Sequence, residues 1–304
     1  MNEFQSGIVI FDKPPKISSA KAVTILKKLY GSPKVGHAGT LDPCATGVLV
    51  ILLNKATRLS QFLLTGDKTY EVMLKLGQET DTQDFTGTII CEKPVNGLRS
   101  ETILDVISKF KGDYLQIPPT YSALKHEGVP LYKLARKGKP VVKPPRAVHI
   151  SHIDIMEIEP PDVLFKVKCS AGTYVRTLCS DIGKILGTGG HMAMLRRTVA
   201  SGFSLEEAFD IDKLNNLKED DALENAVIPM TSVLRHMGEW RPCENVLKRV
   251  EKGAPVSLSD MGDKKESITA HSDYIKIIDS EDNLLAIAKA EEGENILKYI
   301  AVLN

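Results

Sequence analysis

The chain has 304 residues, of which 42% are hydrophobic and 26% are charged, and its 39 basic residues balance its 39 acidic ones. This composition excludes a low-complexity, fibrous or disordered protein, and the length allows one large domain plus a small one. The first six residues carry no basic region, and the apolar run 7–11 is too short for a signal sequence or membrane span. The five cysteines show no CxxC spacing, which is typical of reduced thiols. We therefore expect a cytoplasmic protein with no membrane association.

Apolar periodicity predicts the elements in chain order. Strands are predicted at 7–11, 48–53, 70–77, 147–160, 163–170 and 195–203, and helices at 20–30, 55–65 and 101–110. Beyond about residue 239, the pattern predicts a short helix at 246–253 and short strands at 254–256, 274–279, 284–288 and 297–303. Strands and helices do not alternate regularly, so a doubly wound parallel sheet is disfavoured.

The loop before strand 48–53 carries a lone carboxylate, Asp42. Three glycines in this loop permit backbone angles that other residues rarely adopt, and Pro43 excludes a regular helix or a central strand. The sequence therefore predicts that Asp42 lies on a constrained loop directly before a core strand. A turn aspartate that bonds its own backbone fits this pattern, and so does a catalytic carboxylate.

Charge is unevenly distributed along the chain. Residues 121–150 contain seven basic residues and one acidic residue, whereas residues 204–240 contain nine acidic and three basic residues. A basic segment of this kind is typical of a phosphate-binding surface. A solvated loop and a solvated helix explain the same charges equally well, so charge alone leaves both interpretations open.

Motifs for metals and nucleotides are weak. Asp81 and Asp84 lie three residues apart, but without a histidine or a third acid they are more typical of turn caps than of metal ligands. The glycines at 31–36 have the spacing of a phosphate loop, but His37 and Ala38 replace its lysine and hydroxyl residue. The glycines at 187–190 lack the strand and acid of a dinucleotide fingerprint.

Residues 36–49, GHAGTLDPCATGVL, resemble the catalytic motif G-H-x-G-x-L-D-P-x-A-x-G-x-L of the TruB family of tRNA pseudouridine synthases at every fixed position. Further ordered blocks of the family resemble residues 12–19, 68–70, 77–87, 116–138, 170–178 and 195–203. There are two departures: Lys16 replaces a family glycine and Ser18 replaces a threonine. Ser18 keeps a hydroxyl that can cap the first helix. Lys16 indicates a turn that needs no positive φ, or one that is strained.

The resemblance implies that uridine 55 in the T-loop of tRNA is flipped out and isomerised to pseudouridine, without cofactor or metal. Asp42 would be the nucleophile, attacking either C1′ of the ribose or C6 of the base. Arg176 would keep Asp42 ionised in a site that has lost water. Tyr70 would stack on the uracil and move a proton. The implied RNA contacts are Lys13, Tyr174, Lys125, Arg136, Leu195 beneath the base, and His37 filling the gap that the base leaves.

The resemblance also implies an α+β fold, with a mixed, largely antiparallel sheet and flanking helices. We expect a catalytic domain at 1–238, with an RNA-binding insertion at about 116–147. A small domain at 239–304 looks like the RNA-binding PUA domain, although a family-specific tail without RNA affinity fits as well. The expected partner is the T-arm of tRNA, and we expect a monomer with no obligate protein partner.

Three other functions remain open from the sequence. A non-catalytic protein that helps tRNA to fold would use the same basic segment and His37, with Asp42 incidental. A synthase for ribosomal RNA, or one that needs a guide RNA, would keep the chemistry and change the substrate. Guide-dependent relatives usually carry extended basic tails, which residues 295–304 do not show. The absence of a cofactor motif makes a small-molecule α/β enzyme the weakest alternative.

Overall fold

The computed structural model describes residues 6–264, 274–290 and 295–303. Residues 1–5, on which part of the localisation expectation rests, lie outside this range, as do parts of the predicted C-terminal domain. Within the described residues, no helix is long and apolar enough to span a membrane. All five cysteines are free thiols.

A large mixed sheet forms the centre of the molecule. The first fourteen strands are β1 (Gly7–Lys13), β2 (Val35–His37), β3 (Thr46–Leu53), β4 (Lys68–Leu76), β5 (Gln78–Thr80), β6 (Ile89–Glu92), β7 (Gly112–Gln116), β8 (Lys125–His126), β9 (Val129–Pro130), β10 (Arg146–Glu159), β11 (Asp162–Cys169), β12 (Gly190–Ala200), β13 (Phe203–Ser204) and β14 (Ile228–Pro229). The sheet order is β14-β1-β3-β12-β4-β11-β10-β7, with β2 added to β3 and β13 to β12. The pairing of β12 with β3 is parallel, and the other pairings in this sheet are antiparallel. This confirms the predicted mixed, largely antiparallel sheet.

Both faces of the central strands are covered. The α-helices are α1 (Ser19–Leu29), α2 (Ser60–Leu64), α3 (Ser100–Ser108), α4 (Leu131–Ala135), α5 (Val175–Ile185), α6 (Ile211–Glu219) and α7 (Glu244–Glu251). Side chains of α1, α3, α5 and α6 form one apolar core with alternate residues of β1 and β3, such as Phe11 and Leu49. Their neighbours in sequence, Ile10 and Val48, enter a second core on the opposite face. This burial on two faces explains why β3 is apolar at successive positions.

The predicted helix at 55–65 is wrong in part. The chain forms a 3₁₀ helix over Asn54–Leu59 and then the short helix α2. Asn54 has a φ of 50°, and the hydroxyl of Thr57 donates to the Asn54 carbonyl at 2.7 Å. Such local bonds compete with the regular helical pattern, so the tighter 3₁₀ geometry is retained in the first turn.

A second sheet follows the large sheet along the chain. Its strands are β15 (Gly238–Trp240), β16 (Val256–Ser257), β17 (Tyr274–Ile278), β18 (Leu284–Lys289) and β19 (Ile296–Val302), in the order β15-β17-β18-β19-β16. It has its own apolar core around Trp240 and Val250. Ile278 and Leu284 also join the second core of the large sheet, so apolar packing connects the two parts. The predicted small β-rich C-terminal domain is therefore present.

The basic segment lies between two neighbouring strands. β7 and β10 pair along the edge of the large sheet, with Gln116 opposite Arg146 in the register. The chain between these two residues contains β8, β9 and α4. The segment is thus a long excursion between adjacent antiparallel strands, and its base is closed by the pair Gln116 and Arg146.

Lys16 adopts the left-handed conformation with a φ of 69°, so the first turn is the strained alternative of the two that the sequence allowed. Its N–H donates to the carbonyl of Pro43 at 2.8 Å, which connects this turn to the loop carrying Asp42. A left-handed L-residue costs about 1–2 kcal/mol, and the greater entropy of glycine in the unfolded chain offsets about half of that.

We therefore expect Lys16→Gly to raise the free energy of unfolding by about 0.5–1 kcal/mol. Chemical denaturation of the purified protein measures this change. Lys16→Ala is the matched control, because it removes the same exposed side chain and keeps the strained φ. Equal stabilities of the glycine and alanine variants would contradict a role of backbone strain.

Candidate active site

The loop that carries Asp42 is fixed at several points. Ser19, at the start of α1, accepts a hydrogen bond from the Leu41 N–H at 2.8 Å and donates to the Leu41 carbonyl at 3.0 Å. Gly47 has a φ of 101° and lies against the backbone of Arg197, where a Cβ would collide. These contacts hold the loop between α1 and the centre of the sheet, so the position of Asp42 is set before any substrate binds.

Asp42 forms an ion pair with Arg176. Nε of Arg176 lies 2.8 Å from Oδ2 of Asp42, and Nη2 lies 3.5 Å from Oδ1. Arg176 is buried, at 4% exposure, whereas the Asp42 side chain is 37% exposed. The carboxylate partner is a guanidinium from α5 and not the turn's own backbone. The fork of arginine can hold both oxygens, so it fixes the direction of the carboxylate.

Further groups hold Arg176 in place. Its Nη1 donates to the carbonyl of Thr82 at 2.9 Å, and its Nη2 donates to the carbonyl of Tyr121 at 2.9 Å. Asp84, which is also buried, lies with Oδ2 3.6 Å from Nη1. A single guanidinium thus connects the catalytic loop, the loop around Asp84 and the start of the basic insertion.

The two loop carboxylates cap turns, as predicted. Oδ1 of Asp84 accepts from the Thr86 N–H at 2.9 Å, and Oδ1 of Asp81 accepts from the Thr88 N–H at 2.8 Å. Asp84 differs because it also faces Arg176. Sequence reasoning missed this second function, which only the close approach of the loop to α5 creates.

A cavity of about 270 Å³ opens beside the ion pair. Five of the residues that the family resemblance implies for the site line this cavity: Asp42, Tyr70, Tyr174, Arg176 and Leu195. Tyr70 and Leu195 are buried, at 8% and 7% exposure, and project from the neighbouring strands β4 and β12. An aromatic ring and an apolar side chain beside a carboxylate form a suitable pocket for one flat base.

The cavity is rich in positive charge. Lys68, Arg146, Arg176 and Arg197 line it, against the single carboxylate of Asp42. Arg197 is buried, and its guanidinium donates to the carbonyls of Val48, Thr40 and Gly39 at 2.7, 3.1 and 3.3 Å. Sequence reasoning missed Arg197 as part of the site. The sequence does show two adjacent arginines in the 195–203 block, which could have indicated a cation at the site. The other of the two, Arg196, bonds Asp12 and does not line the cavity.

Burial changes the acidity of Tyr70. Desolvation raises the pKa of its phenol above its ordinary value, and the nearby guanidinium of Arg197 partly opposes this rise. The phenol is therefore neutral at physiological pH and has a proton to give. This protonation state suits a group that moves a proton after the bond rearrangement.

Lys13 lies inside the protein, at 0% exposure, and not on an RNA-facing surface. Its Nζ donates to the carbonyls of Pro14 and Ile17 at 2.8 and 3.0 Å and approaches that of Pro43 at 3.5 Å. Desolvation lowers the pKa of Lys13 to about 8. Its contacts fix the turn after β1 to the catalytic loop.

Three other expected RNA contacts lie outside the cavity. His37 is half-buried on β2; its Nδ1 has no hydrogen-bond partner among the described residues, and desolvation lowers its pKa. Lys125 and Arg136 are exposed in the insertion, and the guanidinium of Arg136 lies 5.7 Å from the ring centre of Tyr132. The structure thus groups the catalytic candidates closely and distributes these three around them.

Comparisons with known proteins identify the family of this chain. Residues 27–175 match the family model of the TruB family pseudouridylate synthase N-terminal domain, and residues 176–235 match that of the tRNA pseudouridylate synthase B C-terminal domain. A tRNA pseudouridine synthase B of Syntrophotalea carbinolica is 42% identical over 85% of this chain and 84% of its own length. That of Francisella tularensis subsp. novicida is 40% identical over 96% of this chain and 94% of its own.

Solved structures show the same likeness. A chain in the crystal structure of a Cbf5–Nop10–Gar1 complex is 28% identical, with a TM-score of 0.75, over 99% of this chain and 86% of that chain. A chain in an H/ACA RNP bound to a substrate RNA is 27% identical, with a TM-score of 0.73. The two family matches cover most of the present chain, and its relatives reach 40% identity and more over most of their length. On these grounds the chain belongs to the TruB family of pseudouridylate synthases and is an isomerase of that family.

Proposed function

We propose that this protein converts uridine 55 in the T-loop of tRNA to pseudouridine, by flipping the base and attacking with Asp42, without a cofactor. The observation that carries the proposal is the Asp42–Arg176 ion pair at the edge of a cavity lined by Tyr70 and Leu195. Relatives at 40–42% identity are named tRNA pseudouridine synthase B, which supports tRNA as the substrate.

The reaction exchanges one bond to the ribose for another. The C1′–N1 bond breaks, the uracil rotates, and a C1′–C5 bond forms; the proton on C5 leaves and N1 gains one. Asp42 attacks C1′ or C6, and both attacks require an ionised carboxylate. Arg176 is placed to pair with this charge and to orient the carboxylate, because its guanidinium contacts both oxygens. Tyr70 stacks on the uracil, and its phenol moves a proton late in the reaction.

The base must leave the T-loop before it can react. Flipping costs a few kcal/mol of lost stacking, which contacts elsewhere must offset. His37 is proposed to fill the gap in the loop, and Lys125 and Arg136 to neutralise phosphates at the insertion. The lowered pKa of His37 keeps its ring neutral near pH 7, and a neutral flat ring stacks without adding charge.

The protein is proposed to act as a monomer in the cytoplasm, with no obligate protein partner. Light scattering of the purified protein, alone and with tRNA, should give one copy of the chain. A dimer as the sole active species would contradict the proposal.

Tyr70→Phe is expected to lower kcat on the order of a hundred-fold or more, with little change in RNA affinity, because it keeps the ring and removes the proton. Tyr70→Leu should lose affinity as well. Since the folded pKa of Tyr70 is raised, the unfolded chain loses its proton first, and wild-type stability should fall above about pH 10. The phenylalanine variant should show a shallower fall; full kcat in this variant would contradict the proton-transfer role.

The proposed function is tested with purified protein and a tRNA transcript labelled with tritium at C5 of its uridines. Because the C5 proton leaves, we expect release of one tritium per tRNA. A transcript with cytidine at position 55 is the control and should release none. Equal release from the control would contradict the proposed position, and no release from either would contradict the proposed function.

A further inference from the structure

The guanidinium of Arg146 lies over the ring of Tyr174 at one wall of the cavity. The guanidinium carbon lies 4.8 Å from the centre of the Tyr174 ring. Gln116, fully buried, donates from Nε2 to the Tyr174 carbonyl at 3.0 Å and accepts from its N–H at 2.7 Å. Gln116 thus fixes the backbone of Tyr174, and the Tyr174 ring provides a rigid surface behind the guanidinium of Arg146.

One donor of Arg146 finds no acceptor in the part of the chain that the structure describes. Its Nε is buried and has no hydrogen-bond partner among the described residues. On one side the guanidinium lies close to Gly172, where a Cβ would come within 3.3 Å of Nη2. Charged donors are rarely left buried without an acceptor, because water has been removed and nothing replaces it. An acceptor from a ligand is the simplest account of this geometry.

The charge of the cavity indicates which acceptor this is. Four cationic side chains line it against one carboxylate, and Asp42 is already paired with Arg176. A planar guanidinium with free donors matches the oxygens of a phosphodiester. We propose that Arg146 binds a backbone phosphate next to the flipped uridine, and that Tyr174 and Gln116 position it there. This inference rests on the proposed function, since it assumes an RNA substrate in the cavity.

The position of Arg146 in the chain adds a consequence. It is the last basic residue of the insertion and pairs with Gln116 at the base of that segment. Tyr174 is two residues before Arg176, which contacts Asp42 and the carbonyl of Tyr121. A phosphate on Arg146 would therefore connect the base of the insertion to the helix that holds the catalytic ion pair.

The test measures binding of T-arm hairpin RNA by the full chain at several salt concentrations. Arg146→Gln is expected to weaken binding on the order of ten- to a hundred-fold. It should also make the slope of log K against log salt shallower by about 0.7, the value for one phosphate on a single strand. Arg146→Lys keeps the charge without the flat fork and should recover only part of the affinity. Tyr174→Leu removes the ring behind the guanidinium and should resemble Arg146→Gln.

Substrates with one neutral methylphosphonate identify the phosphate. Placed 5′ or 3′ of the target uridine, one of the two should weaken wild-type binding and cause no further loss in Arg146→Gln. A methylphosphonate in the stem is the control and should affect both proteins equally. Additive losses at both positions, or an unchanged salt slope in a folded Arg146→Gln protein, would overturn the inference.

Turnover of the unmodified hairpin by wild type distinguishes a failure of the Arg146 assignment from a failure of the proposed function. If wild type isomerises the uridine but the losses caused by the methylphosphonate and by Arg146→Gln are additive, only the assignment of Arg146 fails. If wild type neither binds nor isomerises the hairpin, the proposed function fails, and the assignment fails with it.

Discussion

Asp42→Asn is expected to show no turnover above background, while tRNA binding stays within a few-fold of wild type. Asparagine has the shape of aspartate but lacks the negative charge that attack on C1′ or C6 requires. Arg176 keeps its bonds to the carbonyls of Thr82 and Tyr121 and its contact with Asp84 in this variant. The site should therefore stay assembled, and the loss should appear in the chemical step.

The measurement combines tritium release with equilibrium binding on the same preparation. Mass spectrometry must confirm the asparagine, because slow deamidation would restore aspartate. Thermal unfolding close to wild type shows that the fold is intact. Measurable turnover by a verified Asp42→Asn preparation would remove Asp42 from the role of nucleophile.

Arg176→Lys is expected to lower kcat on the order of a thousand-fold or more. A lysine ammonium keeps the charge, but it cannot bond both oxygens of Asp42 and also reach the carbonyls of Thr82 and Tyr121. Arg176→Met removes the charge as well and leaves Asp84 buried beside an apolar side chain. It should destabilise the protein by about 3–5 kcal/mol, the usual cost of removing one partner of a buried pair.

Arg196→Lys is the matched control for this prediction. Arg196 also forms a close ion pair, with Nη2 2.7 Å from Oδ2 of Asp12, but both side chains are partly exposed. Arg196 does not line the cavity. Its lysine variant should keep most of the activity and stability. Equal activity losses in the two lysine variants, or near-wild-type kcat in Arg176→Lys, would contradict the special role of Arg176.

Much of the fold was predictable because the spacing of apolar residues along the chain indicates which side chains are buried. The two-sided apolar run of β3, the alternation of β4 and the cap of α1 by Ser18 all follow from local sequence. The catalytic loop was predictable as well, since glycines and Pro43 restrict its backbone. The mixed, largely antiparallel character of the sheet came from the family resemblance, and the strand order only from the structure, because pairing between distant strands leaves no local signal.

The environments of three cations could not be predicted from local sequence. Lys13, Arg146 and Arg197 look like surface residues in the printed chain, but Lys13 and Arg197 are buried and Arg146 is half-buried. These environments depend on carbonyls and rings that residues far away bring near, such as Val48 against Arg197 and Tyr174 against Arg146. The left-handed turn at Lys16 has the same origin, since its N–H is held by Pro43 in another loop.

The most direct test of the account is a carbodiimide-based map of pseudouridine in total RNA from cells that lack this protein. Wild type and Asp42→Asn are added back separately. The account predicts that only the mark at position 55 of tRNA disappears and that only wild type restores it. Loss of a mark elsewhere with an unchanged T-loop, or restoration by Asp42→Asn, would contradict it.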